Sequence, residues 1–599
     1  MASASVVNAW AQTLTPEEAA NQESLRQQER ERLLRQRQEQ IPDVRFERLE
    51  PQSEAARIPD ESPCFFIRKI SLSGDSADRF TWALDFANRR DDGQIDKATG
   101  RCLGANGINL IMKRIQNALI ARGYITTRVL AEPQDLRDGT LALTLIPGRI
   151  RGIHFADPSD IPATAWESTH GADGRRRAIL IGRRTLRFPE RHPPHAALWN
   201  ALPVHPGKIL DLRDLEQGIE NFKRVPTVDA DIQIAPAEVS SSSAPAPGES
   251  DLIVAWRQSS TYRLHVSADD SGAKATGKYQ GSMTLSVDNG LNLSDLFYVS
   301  LGSELGSGEG GDYGNRNYTA HYSAPFGYWL LGLTASRYGY HQSVAGASQV
   351  YLYKGTSNNA EVSVSRVFHR DATSRTIGTV SGWLRESRNF IDDTEVEVQR
   401  RRMGGWKAGV THRATLGSSV LEAALAWRQG TGAFNSLPAP EEQFGEGTSR
   451  PTILTFDAQL ELPLAFAGKQ WAYVAATRVQ RNHTRLIPQD YFGIGGRYTV
   501  RGFDGERLLA AERGYWFRNT LLWVTGNALV QPYIGVDWGK VGGPTSDELV
   551  GTSLVGGVIG LRGGGKRWRY DVFVGRPLSR PTGFETDTPA FGFNISSSF

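Results

Sequence analysis

The sequence lacks any apolar run of about 18 residues, the minimum for a transmembrane helix. Its formal net charge is only +3 over 599 residues, so no strong overall field attracts nucleic acid. Hydrophobic residues make up 39% of the chain and glycine occurs 62 times. Membrane strands with one apolar face have such a composition, and so does a large soluble β protein.

Cysteine is nearly absent: the chain contains only Cys64 and Cys102. Both lie in the N-terminal third, which suits one disulfide in an oxidising compartment. The alternative is two unpaired, buried thiols.

Motifs for catalysis or metal binding are also missing. The sequence contains no HExxH, no pair of CxxC motifs and no GxSxG, so it predicts no catalytic residue, no cofactor and no metal site. The segment 560–566 nearly matches a phosphate-binding loop. Arg567 stands where that loop needs Ser or Thr, and we interpret the segment as a turn between strands.

The N-terminal residues predict a polar helix. Thr15, Pro16 and Glu18 form a helix start with an N-cap, a proline at the first position and a capping glutamate. Residues 16–40 then favour helix, with few large apolar side chains. From the residues alone we expect a solvated helix. Residues 1–15 resemble the remainder of a secretory leader or an engineered start, although the small-x-small pattern there also fits coincidence.

Two similar α/β units are predicted after a proline-containing linker at 41–60. The first, at 61–148, has strands at 65–70, 124–129 and 140–146, with one main helix closed by Gly123. The second, at 149–258, repeats this order, with a helix starting at Asp211 and a hairpin between 228–234 and 252–256. It contains an enlarged basic segment at 165–192, including Arg175–Arg177, which we interpret as a solvated face.

Within residues 260–599, segments of alternating apolar and polar residues are separated by polar or Gly-rich turns. Short turns at one end and long loops at the other are typical of outer-membrane barrels. The length allows about sixteen strands of 9–11 residues. The last strand ends at Phe599 and must pair with the first one, because an open edge in lipid leaves backbone groups unsatisfied.

One Arg and one Asp, each next to glycines, mark the C-terminal part. The Arg belongs to Val500-Arg501-Gly502-Phe503, and the Asp lies in the segment 535–539 as Asp537. In a closed barrel this pair could anchor a loop inside the lumen. As a solvated pair it would contribute on the order of 0–1 kcal/mol, and the alternative is an Arg that simply faces lumenal water.

These features in order resemble the two-partner-secretion transporters of the ShlB/FhaC/HecB type, also called TpsB. The resemblance covers nearly the whole chain. It is carried by the Arg501 motif together with the segments 63–65, 102–104, 107–109, 123–129, 224–226 and 277–281.

The resemblance implies a membrane all-β barrel of sixteen antiparallel strands at 260–599. Two periplasmic α/β POTRA domains, 61–148 and 149–258, and a plug helix at 16–40 would precede it. It further implies that Arg501 lies at the tip of a loop folded into the lumen, paired with Asp537. The expected partners are a large secreted exoprotein of the TpsA type, outer-membrane lipid and the barrel assembly machinery, with no nucleic acid.

Two other functions remain open from the sequence. A BamA/TamA-like assembly factor shares POTRA domains and the loop Arg, but such factors usually have more POTRA units and no N-terminal helix. A passive porin would need neither POTRA-like units nor the Arg and Asp motifs. The cargo could be a haemolysin, an adhesin or a contact-dependent toxin.

Overall fold

The structure, a computed structural model, describes most of the chain. The described residues are 15–39, 42–46, 56–90, 92–156, 168–170, 176–178, 195–237, 245–306, 313–346 and 348–599. The predicted leader lies outside this part except for Thr15, and the basic segment at 165–192 lies outside it except for the backbone of two short strands. Within the described ranges, no helix is both long enough and apolar enough to cross a membrane.

Helix α1 spans Pro16–Gln38. Its first turn forms the predicted capping box: the Glu18 N–H donates to Thr15 Oγ1 at 3.2 Å, and the Thr15 N–H donates to the Glu18 carboxylate at 2.8 Å. The helix ends two residues before the predicted position 40.

The first α/β unit contains a three-stranded sheet and one long helix. Its elements are β1 Phe65–Ile67, β2 Lys69–Ser73, a 3-10 helix Ala77–Asn88, β3 Arg101–Leu103, α2 Ala105–Ala121, β4 Arg128–Leu130 and β5 Thr140–Ile146. Strand β5 runs parallel to β2 and antiparallel to β4, while β1 pairs with β3.

Two predicted strands of this unit are wrong in extent. The strand predicted at 65–70 is divided at Arg68, because the N–H groups of Arg68 and Lys69 both donate to the Gly139 carbonyl. The strand predicted at 124–129 begins only at Arg128. The preceding residues close helix α2 instead: Gly123 has φ +104°, and the Tyr124 N–H donates to the Leu119 carbonyl at 3.0 Å.

The second unit repeats this arrangement. Strand β10 runs parallel to β6 and antiparallel to β9, as a hairpin with the latter. Leu215, Ile219 and Phe222 form the buried face of its main helix, which Asp211 caps as predicted. The elements are β6 Arg149–Phe155, β7 Ser168–His170, β8 Arg176–Ala178, α3 His195–Ala201, α4 Leu212–Lys223, β9 Val228–Pro236 and β10 Glu249–Gln258.

The remaining strands close into the predicted sixteen-stranded antiparallel barrel. The last strand pairs with the first, from His265↔Ser598 to Asp269↔Asn594, so the closure expected from the terminal pattern is confirmed. The barrel strands are β11 Tyr262–Asp269, β12 Gln280–Asp288, β13 Leu296–Glu304, β14 Tyr313–Phe326, β15 Trp329–Ala345, β16 Val350–Arg370, β17 Ser374–Ile391, β19 Arg401–Leu416, β20 Ser419–Thr431, β21 Thr452–Phe466, β22 Lys469–Asn482, β25 Arg513–Val524, β26 Gln531–Gly542, β27 Ser553–Gly564, β28 Trp568–Ser579 and β29 Ala590–Ser598.

Three short strands lie outside this count. They are β18 Thr394–Glu395, which pairs with β17, and the hairpin of β23 Phe492–Ile494 with β24 Leu509–Ala511. Several barrel strands exceed the predicted 9–11 residues, and β16 has 21 residues. Such a strand extends well beyond the apolar band of a membrane, which needs only about 9–11 residues.

Side chains of the barrel alternate between two environments. In β26, Ile534, Val536 and Trp538 are exposed on the outer surface, whereas Tyr533 and Asp537 are buried. An apolar outer face and a polar inner face are what a barrel in lipid requires. Asp537 therefore points into the lumen, where the candidate site lies.

Candidate functional site

The loop between β22 and β25 folds back into the barrel. Its hairpin β23–β24 and the Val500 and Phe503 side chains pack in one buried apolar cluster with Trp516 and Leu554 of the wall. Apolar packing thus holds the loop inside a lumen whose other groups are largely polar.

Arg501 and Asp537 form a buried, bidentate ion pair. Arg501 Nε donates to Asp537 Oδ2 at 2.6 Å, and Nη2 donates to Oδ1 at 2.8 Å. The Arg501 backbone N–H adds a third hydrogen bond to Oδ2 at 3.0 Å. The two side chains are 2% and 0% exposed, so the expectation of a solvated pair is wrong. Two-point geometry of this kind fixes orientation as well as position.

Other lumenal groups accept further hydrogen bonds from Arg501. Its Nη2 also donates to Thr520 Oγ1 at 3.0 Å and to the Asn519 carbonyl at 3.2 Å. The Asn519 N–H in turn donates to Asp537 Oδ1 at 3.2 Å. The pair is therefore embedded in strands β25 and β26, and removal of either partner would leave a buried charge.

Glycines form the part of the wall that lies beneath the loop tip. A β-carbon on Gly535 would lie 2.7 Å from Arg501 Nη2, and one on Gly575 would lie 2.8 Å from the Gly502 Cα. Gly502 itself has φ +98°, a conformation that side chains with a β-carbon rarely adopt. The tip thus approaches strands β26 and β28 at a distance that only glycine permits. The sequence analysis identified Gly535 and Gly502 by motif, and it missed Gly575.

Helix α1 lies inside the lumen, held by a buried polar cluster. The Glu23 carboxylate is fully buried and accepts hydrogen bonds from Arg30 at 2.6 Å, from the Tyr338 hydroxyl at 2.7 Å and from Thr276 Oγ1 at 2.9 Å. It also pairs with Arg26 at 3.2 Å. The expectation of a solvated helix is therefore wrong, because buried charges are tolerated when they are paired in this way.

The helix and the folded-in loop contact one another. Arg26 Nη2 donates to the carbonyls of Gly505 and Glu506 at 2.9 and 3.0 Å. The Leu508 N–H donates to Gln22 Oε1 at 3.1 Å. Both lumenal segments thus form one polar assembly.

Toward its C-terminal end the helix contacts the wall on several strands. Arg35 pairs with Glu361 at 2.8 Å, and Glu29 pairs with Arg478 at 3.4 Å. The Tyr298 hydroxyl donates to the carboxylate of Glu39 at 3.0 Å. A cavity of about 780 Å³ remains beside the helix, lined by helix, loop and wall residues.

The second α/β unit is joined to one rim of the barrel. Asn221 Nδ2 donates to the Gly327 carbonyl at 2.7 Å, and Asn200 Nδ2 donates to the Pro325 carbonyl at 2.9 Å. Arg224 donates to the Ser323 hydroxyl. These side chains donate to backbone carbonyls and to a hydroxyl at the rim. The two α/β units therefore lie at this end of the barrel.

The junction between the two units contains a titratable group. Asp211 caps α4 by accepting the Arg213 N–H at 2.9 Å, and the neighbouring Leu212 N–H donates to the Gly123 carbonyl at 2.9 Å. Burial raises the pKa of Asp211 to about 6.

The structure places Cys64 and Cys102 in a disulfide. Cys64 directly precedes β1, and Cys102 lies within β3, opposite Phe66. Within the described ranges, no group of three or more His, Cys, Asp or Glu side chains is placed to hold a metal ion.

Comparisons with known proteins agree with this architecture. The family described as "Haemolysin secretion/activation protein ShlB/FhaC/HecB" matches residues 248–563. A ShlB-type POTRA domain matches residues 65–148, and a second POTRA family matches 184–236.

Individual relatives are similar over nearly the full length. The outer membrane transporter CdiB-2 of Burkholderia pseudomallei is 34% identical, over 97% of this chain and 94% of its own. The hemolysin transporter protein HpmB of Proteus mirabilis is 22% identical over 81% of this chain and 77% of its own. The solved structure of CdiB from Acinetobacter baumannii has a TM-score of 0.79 and 27% identity, and the match covers 98% of this chain and 100% of that one.

A matching family profile across half of the chain, a full-length relative above 30% identity and a full-length structural match all agree. The chain therefore belongs to the haemolysin secretion/activation family ShlB/FhaC/HecB, and it is an outer-membrane transporter of two-partner secretion.

Proposed function

We propose that this chain secretes one large, unfolded exoprotein through its barrel, and that helix α1 is the plug of the resting pore. The single observation that carries this proposal is a polar helix of 23 residues inside the lumen, paired with the wall. A helix with its side chains is about 10–12 Å wide. Its departure would leave a passage wide enough for an extended polypeptide.

The Arg501–Asp537 pair anchors the loop in this proposal. Three hydrogen bonds join Arg501 to one carboxylate, and they fix the tip of a loop that helix α1 also contacts. The anchored loop would thereby bound the passage on one side.

The POTRA units capture the exoprotein before it enters the pore. Each has a three-stranded sheet, β2-β5-β4 and β6-β10-β9. Among the described residues, β4 and β9 each pair with one strand and leave an outer edge, whereas the start of β6 is bridged to Ile209. Addition of an extended substrate segment to such an edge gives affinity from backbone hydrogen bonds without strict sequence demand.

The remaining partners follow from the outer surface and from the family. Exposed apolar side chains such as Ile534, Val536 and Trp538 would contact outer-membrane lipid, and the barrel assembly machinery would insert the barrel. The chain acts as a transporter rather than an enzyme, uses no cofactor and binds no nucleic acid. Its cargo is a haemolysin, an adhesin or a contact-dependent toxin.

If the neighbouring reading frame encodes a large exoprotein, the test is co-expression of that exoprotein with this chain. We expect the exoprotein at the cell surface or in the medium only when the transporter is present. Accumulation of the exoprotein in the periplasm despite a correctly inserted barrel would overturn the proposal.

A further inference from the structure

The segment 42–46, which follows the lumenal helix, lies extended between helix α4 and the barrel rim. Backbone groups of the segment make hydrogen bonds to both sides. The N–H groups of Val44 and Phe46 donate to the carboxylates of Glu220 and Glu216 at 3.0 and 3.1 Å.

The carbonyl groups of the same segment face arginines of the rim. Arg370 Nη2 donates to the Val44 carbonyl at 2.7 Å, and Arg375 Nη1 donates to the Pro42 carbonyl at 3.4 Å. Carboxylates thus bind alternate N–H groups and guanidinium groups bind alternate carbonyls, as a neighbouring strand would. None of these four hydrogen bonds involves a side chain of the bound segment.

Side chains of the segment alternate between apolar and charged residues. Val44 and Phe46 pack against the apolar core of the second unit. Asp43 and Arg45 pair with each other at 3.0 Å. Each also contacts the rim: Arg45 Nη1 donates to the Ala372 carbonyl at 2.9 Å, and Asp43 Oδ2 lies 3.4 Å from Arg413 Nε. The groove between α4 and the rim therefore accepts an extended chain with apolar side chains at every second position.

The groove does not depend on the segment that fills it. Glu220 is paired with Arg370 at 2.8 Å and with Arg375 at 2.5 Å, and Glu216 is paired with Arg370 at 3.2 Å and with Arg213 at 2.7 Å. The two carboxylates are 1% and 0% exposed. Since each buried charge keeps partners without the segment, the cluster can persist when the segment leaves.

We propose that this groove is a binding site for an extended segment of the exoprotein, and that residues 42–46 occupy it in the resting state. The inference rests on the proposed function, because it places the incoming chain at the rim that carries the POTRA units. The resident segment follows directly after the lumenal helix, so substrate binding here would detach the linker of that helix. Competition for one backbone-binding groove would thereby couple arrival of the substrate to release of the plug.

The test measures binding of a labelled peptide with the sequence of residues 40–48 to the full-length chain in detergent, by fluorescence anisotropy. The chain carries Val44→Ser and Phe46→Ser, which weaken the resident segment but leave the carboxylates and arginines in place. We expect this variant to bind the peptide more tightly than the unaltered chain does. Methylation of the peptide nitrogens at Val44 and Phe46 should weaken binding roughly ten-fold or more, because two hydrogen bonds to charged groups are lost.

A peptide methylated at the Arg45 nitrogen is the matched control. In the described part of the chain, that N–H has no hydrogen-bond partner, so binding should change little. Equal binding of all three peptides, or no binding to the Val44→Ser, Phe46→Ser chain, would overturn the assignment. A Glu216→Gln, Glu220→Gln chain tests the same contacts from the other side and should bind the unmodified peptide more weakly. Since the readout is binding rather than secretion, failure here leaves the transport proposal standing.

Discussion

Gly556 of the barrel wall lies directly against the backbone carbonyl of Arg501, and a β-carbon on this glycine would overlap the carbonyl oxygen. The loop tip therefore rests on the backbone of strand β27 as well as on Asp537. We predict that Gly556→Ala displaces the tip and lowers secretion, while the barrel still inserts. Surface exposure of the exoprotein and heat-modifiable migration of the barrel measure the two effects.

The adjacent Gly557 provides the control. The atoms nearest to a β-carbon there belong to the flexible Leu578 side chain, at 3.2 Å or more. Gly557→Ala should secrete normally. An equal loss of secretion in both variants would show that strand β27 tolerates no side chain at either position. The loss in Gly556→Ala could then not be attributed to the contact with Arg501.

Arg501→Ala should lower secretion strongly and destabilise the loop. Loss of one partner leaves a buried charge, which typically costs about 3–5 kcal/mol, more than a solvated pair would. Arg501→Lys should not restore function, because an ammonium group cannot reproduce the two-point contact with Asp537. Secretion and protease sensitivity of the loop are the measurements.

Arg507→Ala in the same loop is the comparison, since its partner Glu585 is 57% exposed and exposed pairs contribute about 0–1 kcal/mol. Normal secretion by Arg501→Ala would contradict the anchoring role.

Glu23→Ala should loosen the helix in the lumen. It leaves Arg26 and Arg30 without their buried carboxylate and the Tyr338 hydroxyl without its acceptor. We expect more frequent and longer openings in planar bilayers, approaching the larger conductance of a chain that lacks residues 16–38. Glu18→Ala, at the exposed start of the helix, should have a much smaller effect. A steady conductance that neither Glu23→Ala nor the deletion changes would contradict the plug role.

Asp211→Asn should remove a pH dependence of the POTRA junction. Burial raises the pKa of Asp211 from 3.8 to about 6 in the folded chain, so the folded state binds the proton more tightly than the unfolded state does. The stability of the unaltered chain relative to Asp211→Asn should therefore be highest below pH 4 and fall as the pH rises to 6. Denaturant titrations of the full-length chain across pH 4–7 measure it, with Asp138→Asn in an exposed turn as the control. A constant difference across this range would contradict the prediction.

Local and periodic features of the fold were predictable from the sequence, and long-range features were not. The capping box at Thr15 and the alternation around Asp537 depend on residues that are neighbours in the sequence. Arg68 and Tyr124 interrupt their predicted strands because of contacts with Gly139 and Leu119, which no local pattern reveals.

The candidate site shows the same division. The Arg501–Asp537 pair could be proposed from the motif, but its burial could not, because that depends on the apolar packing of Val500 and Phe503. Glu23 is one of many charged residues in its helix. Its hydrogen bonds from Thr276 and from Tyr338, both more than 250 residues away in the sequence, distinguish it.

The polar character of helix α1 has a thermodynamic consequence. Its fully or nearly buried residues include only two apolar ones, Ala20 and Leu25, beside five polar or charged ones. When the helix leaves, water replaces protein partners at hydrogen-bonding groups, and little hydrocarbon surface becomes wet. Apolar exposure raises the heat capacity and polar exposure lowers it, so the opening equilibrium should lack the large positive heat-capacity change that accompanies exposure of apolar surface.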